Sequence, residues 1–111
     1  MRKIEHGMIQ AIIDQRKHWC KDNTRVEFDP VTDLSRIFLH GHWIAEYDHN
    51  NMGLAINNQG YETNTTKSRL NALINFVCDP TQNGIFQKNW NWFITKDGET
   101  EDFPSGAWYT V

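Results

Sequence analysis

Hydrophobic residues recur at helical spacing in two stretches of the chain. Leu70, Leu73, Ile74 and Val77 fall three and four apart, which puts them on one helical face, with Lys67, Asn71 and Asn75 on the other. Asn64, Thr65 and Thr66 come first, and their side-chain oxygens can accept from the free amides of a first turn. Asp79-Pro80 stops the run, because proline disfavours helix in the residue before it. The pattern predicts a helix over about Thr66 to Cys78. Ile4, Met8, Ala11, Ile12 and Trp19 predict an earlier helix from Ile4 to Trp19, which Gly7 weakens by up to about 1 kcal/mol relative to alanine.

Elsewhere the period is two. Thr24 to Phe28 alternates as a half-buried strand, and Asp29-Pro30 opens a turn. Arg36 to His40 and Trp43 to Asp48 read as two strands joined at Gly41, followed by a short strand from Met52 to Ile56. After the second helix, Thr81 to Gly84 reads as loop and Trp90 to Ile94 as a strand rich in aromatic and branched residues. Asp97-Gly98 is the strongest hairpin signal; its return strand is acidic, and Ala107 to Val111 closes the chain as a last strand.

These elements predict an α+β domain in the order α-β-β-β-β-α-β-β. Its small antiparallel sheet has five or six strands, with both helices on one face. Ile4, Met8, Ile12, Phe28, Ile37, Leu39, Ile44, Leu70, Leu73, Val77, Trp92 and Ile94 form the expected core, leaving Trp90 or Phe93 partly exposed. A chain of 111 residues is long enough for one such core without staples.

Composition narrows the functional classes. Net charge is −3, which suits neither a DNA mimic nor a generally basic nucleic-acid binder. The imbalance is local: residues 1–25 hold six Lys and Arg against three Asp and Glu, leaving five against eleven in the rest. Arg2, Lys3, Arg16, Lys17 and Lys21 form the basic patch a nucleic acid would use, although basic helix ends also complement the helix dipole. No apolar run reaches membrane-spanning length and MRKIEHGMIQ lacks a signal-peptide core, so a cytoplasmic setting is expected, with Cys20 and Cys78 as free thiols.

Two stretches could carry chemistry. Helix starts attract anions, and Thr65, Thr66, Ser68 and Arg69 would add hydroxyl and guanidinium donors for a phosphate, a nucleotide or a carboxylate. The plainer expectation is that the threonines cap the helix and Arg69 pairs with an acid. His40, His42 and Glu46 in HGHWIAE, with Gly53, resemble the first motif of the cupins, whose residues of this kind bind a metal. Gly98 with ETEDF and Pro104-Ser105-Gly106 resembles part of the second. The chain departs from that pattern at Tyr109, where cupins carry a histidine, and at Leu34, where they carry a glycine. A cupin also needs a barrel of many strands, so the favoured expectation is turn and edge histidines facing water. No phosphate-binding glycine loop and no zinc cysteine pairing is present, and no cofactor is expected. The five tryptophans make recognition the strongest theme, with Tyr61, Trp90, Trp108 and Tyr109 as anchors for a partner or platforms for a base.

FLHGHWIAEYD followed by GYETNTTKSRLNALINFV is similar to short accessory proteins encoded by tailed bacteriophages, over Ile37 to Val77. That resemblance implies a non-enzymatic protein that binds and disables a host or anti-phage defence component inside the bacterium. One variant sequesters a small nucleotide at the Thr65, Thr66, Arg69 helix start, across a homodimer interface. A metal-dependent enzyme using His40, His42 and Glu46 and a nucleic-acid-binding accessory protein are the alternatives.

Overall fold

The structure, a computed structural model, describes residues 1–111 apart from the side chain of Gln15. The first helix, α1, runs only from Lys3 to Gln10, and a single π-helical stretch, Ala11–Gln15, follows it. Arg16 then takes a left-handed conformation (φ +42°) that turns the chain back, so Trp19 belongs to a strand, β1 (Trp19–Lys21), and not to the expected helix. Gly7 has a packing role in this arrangement. A methyl group there would press to within 2.9 Å of the Trp19 ring, so the indole lies against α1 because the glycine leaves room.

Four further strands follow: β2 (Thr24–Asp29), β3 (Leu34–Leu39), β4 (His42–Asp48) and β5 (Gly53–Ile56). Helix α2 (Asn64–Val77) comes next, then β6 (Gly84–Lys88), β7 (Asn91–Lys96), β8 (Glu99–Asp102) and β9 (Tyr109–Thr110). The α+β class and the placing of the helices among the strands stand as expected; nine strands form in place of five or six, with β1 and β6 in segments not expected as strands. The strands divide into two antiparallel sheets, one of six in the order β1-β2-β3-β4-β5-β9 and one of three, β6-β7-β8.

Helix α2 begins two residues before its predicted start. Thr63 is the cap: its hydroxyl accepts from the Thr66 amide at 3.1 Å and lies 2.9 Å from the Thr66 hydroxyl. The helix buries Leu70, Leu73 and Ile74 in one core with Met8 of α1, Ile12 of the π-helical stretch, Val26, Ile37, Ile44 and Ile56 of the large sheet, and Trp92 and Ile94 of the small one. Ile4, Phe28 and Val77, expected in that core, are only half-buried. The small sheet is tied to α2 by Asn71. Its amide nitrogen donates to the Ile85 carbonyl at 2.9 Å and its oxygen accepts from the Ile85 amide at 2.7 Å, which continues the β6 ladder with a side chain.

One irregularity decides which way the site residues of β4 point. Phe38 lies opposite Trp43 while Ile37 lies opposite Ala45, so Ile44 is an extra residue, a bulge. Side chains on the two sides of a bulge swap faces relative to strict alternation. His42 therefore shares the helix-covered face with Leu39, while Trp43 and Glu46 share the opposite, open face with Phe38 and Arg36.

Candidate functional site

The α2 start does not present the expected anion site. Arg69 is only 3% exposed, and its guanidinium is engaged from three directions. It donates to Glu5 of α1 at 2.7 Å, to the Thr24 hydroxyl at 3.0 Å and to the Asn23 side-chain oxygen at 3.3 Å. Ser68 donates to the same Glu5 carboxylate at 2.6 Å. Burial raises the Glu5 pKa, but the hydrogen bonds from Ser68, the Arg2 backbone and Arg69 outweigh it and hold the carboxyl below its ordinary range. Arg69 and Ser68 thus join α1, α2 and β2 from inside, and neither faces a ligand.

Thr65, Thr66 and Tyr61 fall elsewhere. They line a cleft of about 300 Å³ with Leu39, His40, His42, Asn58 and Thr63. The His42 and Tyr61 rings stack there, 4.3 Å between centroids and 30° apart in plane. Asn58, fully buried at its base, is already bonded to the Ser105 hydroxyl and to the amides of Gly60 and Gly106. The cleft thus unites two sets of residues that sequence reasoning kept apart, the threonines and the histidines.

The cupin-like metal site is not formed. His40 sits in the β3–β4 turn with φ +50°, His42 stacks on Tyr61, and Glu46 accepts from Arg36 at 3.2 Å on the other side of the sheet. The Ile44 bulge sends Glu46 away from the histidines, and the sheet is open where a cupin closes a barrel. No group of three His, Cys, Asp or Glu residues is placed to hold a metal ion among the described residues. A serine–histidine pair missed in the sequence also has no substrate access: Ser35 Oγ lies 2.8 Å from His49 Nε2, and Ser35 is fully buried.

The expected basic helix end is dispersed. Arg2 and Lys3 lie at the start of α1, Arg16 pairs with Asp33 at 3.6 Å beyond the π-helical stretch, Lys17 follows it, and Lys21 ends β1. Tyr109 is half-buried and donates to Glu101 at 3.1 Å. It lines a polar hollow of about 440 Å³ with Lys96, Asp97, Glu99, Thr100 and Glu101. Burial, then the Glu101 contact, raises its phenol pKa. Trp90 stands alone at the β6–β7 turn, 87% exposed.

The open face of the six-stranded sheet carries the largest organised set of recognition groups. Antiparallel pairing places Arg25, Phe38 and Trp43 side by side across β2, β3 and β4. The Arg25 guanidinium lies 4.3 Å from the Phe38 ring centre, and Arg36 lies 5.6 Å from Trp43. Trp108, just before β9, meets Trp43 edge to face at 4.7 Å, and the Trp43 indole is fixed by donating to the Ala45 carbonyl at 3.1 Å. Beneath this aromatic row runs a charge ladder, with Arg36 between Glu27 and Glu46. Trp43 and Trp108 remain 36% and 43% exposed, and no helix covers them. Of the anchors singled out in the sequence, only Trp108 lies here; Trp43 and Phe38 were read simply as strand residues.

No helix is long and apolar enough to cross a membrane among the described residues. No curated protein and no solved structure matches the chain. The family model described as Kyanoviridae Gp96 protein matches residues 1–110, so the chain belongs to that family of phage proteins.

Proposed function

We propose that this phage protein is a non-enzymatic binding protein that engages a host or anti-phage defence protein in the host cytoplasm. The contact surface is the open sheet face, with Trp43 and Trp108 as its centre. The observation that carries this reading is the tryptophan pair itself: two large rings held edge to face, with Arg36 beside Trp43 and solvent on their outer side. Pre-ordered aromatic and arginine groups with a polar rim are the usual composition of interface hot spots. Affinity capture from a lysate of the phage's host tests it. The Trp43→Ala and Trp108→Ala variants should each weaken capture of the partner by about thirtyfold or more while leaving the thermal unfolding transition cooperative. Partner capture unchanged by both substitutions removes the reading.

A second reading, sequestration of a small nucleotide, draws on the cleft where Tyr61, Thr65 and Thr66 meet His40 and His42. The stacked His42–Tyr61 pair offers a flat wall for a base, although Arg69 no longer contributes. A nucleotide bound only by the folded state raises the unfolding temperature as its concentration rises, and a flat response across common nucleotides rules this out.

A further inference from the structure

Three two-residue turns in this chain join antiparallel strands in the same way. His40-Gly41 joins β3 to β4, Asn89-Trp90 joins β6 to β7, and Asp97-Gly98 joins β7 to β8. In all three, both residues have positive φ: +50° and +80°, +52° and +67°, +50° and +86°. Such turns favour asparagine or aspartate first and glycine second, because only glycine accepts the left-handed region without a Cβ penalty. Asp97-Gly98 follows that rule in full, and His40-Gly41 follows it at the second position. The third places tryptophan where the others place glycine.

Packing gives nothing back for this choice. Trp90 is 87% exposed, the most exposed aromatic ring in the molecule. Its surroundings look outward as well. Phe86 and Phe93 stack at 5.4 Å on the outer face of the small sheet, and Phe86 is 40% exposed. Lys67 of α2 shares a surface hollow with Gln87, Asn89 and Trp90, while Lys88 alternates onto the Phe86 face. Neither lysine makes an ion pair among the described residues, and of the strand residues on the outer face of the small sheet only Asp102 carries a carboxylate. Strain at a solvent-exposed tip persists when the side chain it displays has a use.

We infer that the β6–β7 tip is a second anchor, in which Trp90 enters an apolar pocket rimmed by carboxylates on a protein partner and Lys67 and Lys88 meet that rim. A tryptophan on a two-residue hairpin is a rigid probe, and flanking cations select an acidic surround over a basic one. This contact lies on a different sheet from Trp43 and Trp108 and does not depend on them.

Substitution of Trp90 by glycine separates display from structure. The Trp90→Gly variant restores the turn sequence favoured at Asp97-Gly98, so its unfolding temperature should stay level or rise by up to about 5 °C. A fall of several degrees means that Trp90 serves the fold, and the inference is lost. Binding is read by quantifying proteins captured from host lysate on wild-type, Trp90→Gly, Lys67→Glu with Lys88→Glu, and Trp43→Ala beads. The expected result is at least one protein depleted tenfold or more by Trp90→Gly and also by the charge reversal, which then binds the purified wild-type chain directly. Capture within twofold on Trp90→Gly beads, or no capture above bare beads, overturns it. So does Trp90-dependent binding of a thymidine oligonucleotide or of phosphatidylglycerol vesicles in place of a protein. Proteins lost only on Trp43→Ala beads bear on the open face alone.

Discussion

Arg69 and Arg36 lie on opposite sides of the six-stranded sheet, and the same functional group is used differently on each side. Arg69 is buried, and Glu5, Thr24 and Asn23 engage its guanidinium. Arg36 lies at the surface between Glu27 and Glu46, with its guanidinium turned towards an exposed indole. The contrast extends to their neighbours. On the helix side, Ser68, Asn58 and Ser35 are bonded to other parts of the chain. On the open side, Phe38, Trp43 and Trp108 are held in place with free surface remaining. Arg69 and Ser68, whose chemistry suggested ligand binding, organise the interior, and the uncovered face keeps its aromatic and guanidinium groups at the surface.

Truncating Arg69 should have the largest effect on the fold. The Arg69→Ala variant leaves Glu5 charged and buried without its partner, and should lose about 3–5 kcal/mol of stability in a denaturant titration. A loss below about 1 kcal/mol would mean that Arg69 contributes no more than a surface ion pair such as that of Arg36. Asn71→Ala comes next, because it strips both partners from the Ile85 backbone. It should cost about 1–3 kcal/mol, with hydrogen exchange rising first in the small sheet.

Acid gives a smaller and sharper test. Glu5 has a folded-state pKa below its ordinary value near 4.5, so the unfolded chain binds more protons there. The resulting stabilisation is complete above that ordinary value and is lost as pH falls through the folded pKa. Glu5→Gln should be less stable than wild type at neutral pH, yet show a shallower loss of stability below about pH 5. Parallel acid limbs for the two proteins would exclude Glu5 as the group responsible. The smallest expected effect is on the open face, where Trp43→Ala should change stability by only about 1 kcal/mol, since its ring is partly in water already.

Much of the architecture was legible in local patterns. Proline after Asp79 and the Leu70, Leu73, Ile74 spacing gave α2 its place, and Asp97-Gly98 gave the β7–β8 hairpin. Thr63 was missed as the cap because three further side-chain oxygens follow it. Helix α1 was drawn too long because the residue that reverses the chain, Arg16, is not a glycine and carries no stop signal. The site failed for non-local reasons. Nothing near Arg69 in sequence announces Glu5, 64 residues away, as its partner. A bulge at Ile44 breaks the alternation that would have set His42 and Glu46 on one side.

The proposed contact surface is the uncovered sheet face, and not the start of α2. Hydrogen–deuterium exchange of the free protein against its complex with the captured host protein tests this most directly. Slowed exchange should appear in β3, β4 and residues 107–110, with residues 61–68 unchanged. Protection confined to residues 61–68, with β3 and β4 exchanging as in the free chain, would contradict it.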